Sequence, residues 1–284
     1  MSIEIQTLRS TLGAAVRGVA LETLADKDWR QIYEAFLEHA VLIFPGQRLS
    51  DRQQEAFATR FGTIENLVEG LKTIPITNKT PEGAFYEENS DRMKLLRGNE
   101  GWHTDSSYMP LTAKVSVLSA HVVPKNGGET EWADMRAAYK ALDEETKSII
   151  RDLNAYHSYF QSQAKLGHVV EAGAAYGFFE GETPLHPLVK VHPETGRPAL
   201  FIGRHACVIP GLSTDAADAL LDRLVTFACQ KPRLLRHNWQ EGDLVVWDNR
   251  CLLHRARPYN LKDERLMLHT RIAGDPRTES AINA

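Results

Sequence analysis

The sequence predicts a mainly β fold with peripheral helices, built as two sheets packed on one another. Three observations point to it. Short runs rich in β-branched and aromatic residues recur between Val41 and Ile272, closed by Gly, Pro, Asn or Asp. Helical periodicity is confined to a few segments among them. Two long stretches, 66–100 and 158–186, show neither period, and loops of that length inside a domain usually carry function. Many short strands with few helices suit a double-sheet architecture.

The elements follow in order. Trp29, Ile32, Tyr33, Phe36 and Leu37 are spaced as one face of a helix, with Asp26 placed to cap it. Val41–Phe44 reads as a short buried strand stopped by Pro45-Gly46. Ser50 with Gln53 forms a capping box for a second helix carrying Phe57 and Phe61. The stretch 66–100 reads as a long loop with a short strand near Thr73–Thr77. Lys114–Val123 is β-rich and ends in the turn Pro124–Gly128. Asp134–Asp152 is helical with a break at Leu142-Asp143. Strands are expected around Leu188–Val191 and Ala199–Ile202, and a helix from Thr214 to Cys229. The chain closes with strands at Leu234–Trp239, Leu244–Trp247 and Leu266–Ile272.

The bulk properties narrow the function. A chain of 284 residues with no repeat or low-complexity segment is read as one β-rich domain, 1–284. Net charge is −4, with no block of like charges, so neither nucleic acid nor an anionic membrane is an expected partner. The N-terminal residues lack the pattern of a signal peptide, and no apolar run approaches the ~18 residues of a membrane span. Cys207, Cys229 and Cys251 are scattered and odd in number. They are read as buried thiols in a reducing cytoplasm rather than as a disulfide framework or zinc site. A homo-oligomer is compatible with all of this.

The chemistry-bearing signal begins at Trp102-His103-Thr104-Asp105. In an extended strand, residues two apart share a face, so His103 and Asp105 can reach one ion. A second histidine would complete the two-histidine, one-carboxylate triad of non-haem iron(II) oxygenases, which leaves three coordination positions open. Of the 11 histidines, His254 is the best candidate, since it follows a turn, an apolar strand and a polar end at 242–249. The bland alternative is a solvent-facing loop histidine. Arg265, Met267, His269 and Arg271 alternate along the last strand and share a face. A guanidinium there can grip a carboxylate with paired hydrogen bonds; the bland alternative is an ion pair with Asp263 or Glu264.

With these segments the chain resembles the taurine and 2,4-dichlorophenoxyacetate dioxygenase family. The resemblance rests on WHTDSSYMP at 102–110, GGETEWADMRAAYKALDEETK at 127–147, HPLVKVHPETGRPALFIGRHA at 186–206 and GDLVVWDNRCLLHRARPYN at 242–260, and runs from about residue 10 to 275. Within the family it is most similar to the (S)-selective aryloxypropionate dioxygenases, through YMP, SQAKLGH at 162–168 and LHTRIAG. The resemblance implies a double-stranded β-helix, or jelly roll. It implies iron(II) held by His103, Asp105 and His254, with 2-oxoglutarate and O2 as co-substrates. Thr130 and Arg265 match the residues that bind the 2-oxoglutarate carboxylate. The family often places a substrate-binding arginine four residues after that arginine; here His269 stands there. Arg271 is therefore the first choice for the substrate anion, then His269, ahead of Arg257 and Arg204. Asn99, Tyr108 and Val68 are further pocket candidates, whereas Trp102 should point away from the metal. The two long loops are expected to act as lids. The expected partner is a small anionic molecule, in first place an aryloxyalkanoate. The same chemistry on a sulfonate, alkyl sulfate or amino-acid derivative is the alternative. A non-catalytic β-sandwich binding a small anion or metal is the other.

Overall fold

The computed structural model describes residues 3–66, 70–168 and 181–284. Its strands are β1 (Glu4–Thr7), β2 (Ala14–Arg17), β3 (Val41–Phe44), β4 (Ile74–Thr77), β5 (Ala113–Val122), β6 (Thr130–Asp134), β7 (Asn154–Tyr156), β8 (Leu185–Pro187), β9 (Val189–Val191), β10 (Pro198–Leu200), β11 (Leu234–His237), β12 (Leu244–Asp248), β13 (Leu252–Ala256) and β14 (Leu266–Ala273). Its helices are α1 (Asp26–His39), α2 (Asp51–Ala58), α3 (Asp91–Gly98), α4 (Met135–Ala141), α5 (Glu144–Ile150), α6 (Tyr159–Ala164) and α7 (Thr214–Ala228).

The larger sheet runs β1-β2-β3-β12-β5-β14-β4, and β11-β6-β13 form a second, antiparallel one. The unbroken apolar runs of β3 and β12 have a physical reason: both faces of the large sheet are covered. Leu42, Phe44, Val115, Val117, Leu244, Val246 and Ile272 pack on the outer side with Ile32 and Phe36 of α1 and Phe57 of α2. The alternate residues Val41, Ile43, Leu118, Val245, Trp247 and Met267 face inward, toward Trp132, Ala133, Leu252 and Leu253 of the second sheet. By alternation Arg265, His269 and Arg271 lie on that inward side with Met267.

Several local expectations are corrected. Asp26 does not cap α1; the N-cap is Ala25, without a side-chain bond, and Asp26 is the first helical residue, paired with Arg60 at 2.6 Å. The helix of residues 26–39 is preceded by the hairpin β1–β2, whose outer strand is too exposed to show a pattern. The stretch 66–100 holds more than a strand: Ser90 accepts from Met93 N and starts α3. Likewise 158–186 contains α6, capped by Ser158, and β8. Thr130 opens β6 two residues after the Pro124–Gly128 turn, and His254 lies mid-strand in β13 rather than in a loop. The turn before Thr130 does need glycine: Gly127 has φ 78°, and a Cβ there would sit 2.3 Å from the Pro258 carbonyl oxygen. The capping box stands, with Ser50 N donating to Gln53 Oε1 at 2.8 Å. Asp143 caps α5 where the helical stretch breaks. Cys207 and Cys251 are buried; Cys229 is only half-buried, and all three are free thiols.

Candidate metal and co-substrate site

Between the two sheets lies a cavity lined by Ile76, Asn99, His103, Asp105, Leu118, Thr130, Trp247, His254, Ala256, Arg265, His269 and Arg271. It gathers most of the residues singled out in the sequence. His103 and Asp105 do not lie on a regular strand. His103 makes a single antiparallel bridge to His254, with N–H···O distances of 3.0 and 2.8 Å between the two backbones. The chain then turns at once, through Ser106 at φ 53°, an uncommon conformation for a residue with a side chain. The turn brings Asp105 over β5 and β14.

One ligand atom from each of His103, Asp105 and His254 lies within 4.8 Å of the others, and all three residues are buried. His103 Nδ1 lies 2.8 Å from the Gly101 carbonyl oxygen. A carbonyl only accepts, so Nδ1 carries the proton and Nε2 keeps its lone pair. His254 Nε2 is 3.6 Å from Asp105 Oδ2, too far for a hydrogen bond. Burial pushes the His103 imidazole down to about 3 and that of His254 to about 4. Burial opposes ionisation of Asp105 too, but Arg271 and the surrounding histidines outweigh it and hold the carboxyl well below the usual range. Neutral imidazoles beside an ionised carboxylate are the protonation states a cation binds. His254 Nδ1 has no hydrogen-bond partner among the described residues. This donor set, two imidazoles and a carboxylate, fits iron(II).

Arg265 is buried and has no carboxylate partner among the described residues; Glu264 pairs instead with Lys79 at 2.6 Å. The Arg265 guanidinium lies 5.7 Å from the Tyr259 ring centroid, and burial pushes its pKa down. A buried cation without a counter-ion is costly, and an anionic ligand removes the cost. Thr130 Oγ1 accepts from Trp239 Nε1 at 2.9 Å, so its own hydroxyl hydrogen can be given to that ligand. Arg271 is more engaged: Nε is 3.4 Å from Asp105 Oδ1, and Nη1 donates to Ser106 Oγ at 3.1 Å. Ser106 in turn donates to Glu65 Oε2 at 2.9 Å. His269 Nε2 is 3.6 Å from Asp105 Oδ2, and its ring stacks on Trp247.

The remaining candidates separate. Asn99 lines the cavity. Tyr108 does not; its ring packs on Tyr159 and His205, with centroids 4.8 and 4.9 Å away. Val68 lies outside the described residues. Arg204 is turned to the Gly98 and Ser162 carbonyls and to Gln163 Oε1 rather than into the cavity. Trp102 is partly buried against the core, with the Arg255 guanidinium over its ring at 4.5 Å. Glu65, Leu118, Trp247 and Ala256 were not anticipated. Trp247 and Leu118 could have been found from strand alternation with Val245 and Ala120; Glu65 carries no local signal.

The family model for taurine catabolism dioxygenase TauD, TfdA family, matches residues 4–271. The chain belongs to this family. An (S)-phenoxypropionate/alpha-ketoglutarate-dioxygenase of Sphingobium herbicidovorans is 50% identical over 287 residues, covering 99% of this chain and 98% of the relative. One of the same name from Delftia acidovorans is 51% identical with the same coverage. An alpha-ketoglutarate-dependent 2,4-dichlorophenoxyacetate dioxygenase of Cupriavidus pinatubonensis is 37% identical, covering 93% of this chain and 96% of the relative. The crystal structure of AAD-2 in complex with Mn(II) and N-oxalylglycine has a TM-score of 0.91 and 37% identity, covering 99% of each chain. The chain is thus an enzyme, a dioxygenase of the type that uses iron(II), 2-oxoglutarate and O2. No helix of the described residues is long and apolar enough to cross a membrane.

Proposed function

We propose that this enzyme hydroxylates an aryloxyalkanoate of the (S)-2-phenoxypropionate type at its ether-bearing carbon. The observation that carries the chemistry is one cavity holding both the His103–Asp105–His254 group and the uncompensated Arg265. The substrate class is supported by the identity of half the residues to two (S)-phenoxypropionate dioxygenases over nearly the whole chain.

His103, Asp105 and His254 hold iron(II), which with 2-oxoglutarate and O2 supplies hydroxylation coupled to decarboxylation of the co-substrate to succinate and CO2. Arg265 and Thr130 take the far carboxylate of 2-oxoglutarate, the arginine through paired hydrogen bonds and the threonine through its hydroxyl. Arg271 takes the substrate carboxylate, with His269 beside it and Asn99 at the cavity wall. Tyr108 packs on Tyr159 and on His205, whose ring in turn meets that of His103 edge-on with centroids 6.0 Å apart. Hydroxylation at the ether carbon makes a hemiketal. It collapses as the bond between that carbon and the ether oxygen breaks, and the hydroxyl proton ends on the departing aryloxide oxygen, leaving a phenol and a 2-oxo acid. No side chain is needed as a general base; the residues orient and exclude water.

The two sheets that wall the cavity support a double-stranded β-helix made by one domain over 1–284, with 66–100 and 158–186 as its lids. The free thiols support a reducing, cytoplasmic setting. The test is turnover of 2-oxoglutarate with both enantiomers of 2-phenoxypropionate, a sulfonate and an alkyl sulfate. The (S)-enantiomer should give phenol, pyruvate and succinate in equal amounts. Turnover triggered only by the sulfonate or the alkyl sulfate would overturn the substrate reading.

A further inference from the structure

Asp105 is held by a chain of hydrogen bonds that runs from Trp247 in the cavity wall through Asn249 and Ser116 behind it. Trp247 Nε1 donates to Asn249 Oδ1 at 3.0 Å. Asn249 Nδ2 donates to Ser116 Oγ at 2.9 Å. Ser116 Oγ donates to Asp105 Oδ2 at 2.6 Å. Ser116, Asn249 and Trp247 are each no more than 1% exposed, so water does not compete.

The chemistry of the two ends sets the direction of every hydrogen. An indole N–H only donates, and an ionised carboxylate only accepts. The Asn249 amide must turn its oxygen to Trp247 and its nitrogen to Ser116, which leaves the serine hydrogen for Asp105. The last bond is short and charge-assisted. Strand register builds the array: Ser116 pairs with Trp247 on one side and with Arg271 on the other. These three residues form one inward row across β12, β5 and β14, beneath Asp105. The same indole stacks on His269, with centroids 5.7 Å apart and planes 20° apart, and lies 4.8 Å from the His254 ring.

We infer that Ser116, Asn249 and Trp247 are a positioning relay for the metal ligand Asp105. Ser116 sits on Oδ2 while Arg271 faces Oδ1, so the carboxylate cannot rotate without breaking a buried contact on both sides. Ser116 and Asn249 are not among the residues that line the cavity; they act through Asp105, whereas Trp247 also forms part of the cavity wall. Outer partners of this kind typically matter about 10- to 100-fold in metal affinity. The inference rests on the reading of Asp105 as a metal ligand.

The test is Mn(II) binding to the metal-free enzyme by titration calorimetry, with circular dichroism confirming the fold of each variant. Ser116→Ala and Asn249→Ala should each weaken Mn(II) binding by about 10- to 100-fold. The double variant should be no weaker than the worse single one, because both break one chain. Ser116→Cys keeps the volume with a poor donor and should fall between wild type and Ser116→Ala; it also serves if the alanine variant does not fold. A residue that only packed the core would lower the melting temperature and leave Mn(II) affinity alone. Affinity within about threefold of wild type in both Ser116 variants, or losses that multiply in the double variant, would overturn the relay. His103→Ala separates the two readings. If it binds Mn(II) as wild type does, the metal site itself is wrong. If it does not bind while Ser116→Ala binds as tightly as wild type, only the relay is.

Discussion

Among the described residues, two buried groups combine histidine and aspartate within reach of one ion: His103, Asp105 and His254, and His192, Asp248 and Cys251. They differ in what is already satisfied. In the second group His192 Nδ1 accepts from Glu194 N and Thr195 N, both at 3.2 Å, and Nε2 donates to Asp248 Oδ2 at 2.9 Å. Arg250 grips both oxygens of Asp248, at 2.8 and 2.7 Å. Burial pushes the Cys251 thiol well above its ordinary range. The imidazole nitrogens and both carboxylate oxygens are already taken and the thiol stays protonated, so the group is a buried ion-pair network. In the first group the His103 Nε2 lone pair is uncommitted, and the histidines approach the carboxylate without bonding to it. Ligand-type residues at metal-like distances therefore do not make a metal site; unspent lone pairs do.

The contrast can be broken most sharply by crossed substitutions. His103→Ala should reduce Mn(II) affinity by more than the ~10- to 100-fold of an outer partner and leave the denaturation midpoint of the metal-free protein nearly unchanged. Arg250→Met should do the reverse. It strands Asp248 in the interior, which costs about 3–5 kcal/mol, read from chemical denaturation, with Mn(II) stoichiometry unaffected. If Arg250→Met abolished metal binding, the division between the two groups would be wrong.

A smaller effect is expected at Arg265. Hydrogen bonds to charged groups contribute about 1.5–3 kcal/mol, so Arg265→Met should raise the 2-oxoglutarate KM by roughly 10- to 150-fold while metal affinity holds. Arg271→Met should raise the substrate KM and, because Arg271 also faces Asp105 Oδ1, weaken Mn(II) binding; an effect on 2-oxoglutarate alone would move the substrate anchor elsewhere.

The last effect concerns pH. His157 and His186 are buried, used by neither group, and pushed by burial to about 3 and about 2. In the unfolded chain each titrates near 6.5. Below that value the unfolded state binds more protons, so stability falls as pH drops from about 6.5 toward 3, by about 1.4 kcal/mol per pH unit for each. His157→Gln should flatten the slope of denaturation midpoint against pH; an unchanged slope would contradict the buried neutral state.

Much of this was legible in the sequence, for physical reasons. Val41–Phe44 and Leu244–Trp247 announced themselves because strands covered on both faces read as near-continuous apolar runs. The helix over 91–98 did not, because its short amphipathic face is diluted by charge; Ser90 was its one clear sign. His103, Asp105, His254 and Arg265 were found from residue type and motif, yet the strand geometry assumed for His103 and Asp105 was not what unites them. A bridge to β13 followed by a turn at Ser106 does so. Ser116, Asn249 and Glu65 were invisible, since their meaning lies in strand register and in contacts between distant segments. Arg271 was correctly placed on the inward face, but its engagement with Asp105 and Ser106 needed coordinates.

The central claim is that one cavity binds iron(II) through His103, Asp105 and His254 and 2-oxoglutarate through Arg265. It is tested most directly by adding iron(II) and 2-oxoglutarate to the metal-free enzyme without oxygen and recording the visible spectrum. A weak charge-transfer band should appear with wild type, vanish with His103→Ala, and require far more 2-oxoglutarate with Arg265→Met. No band with wild type, or a band that survives His103→Ala, would contradict the account.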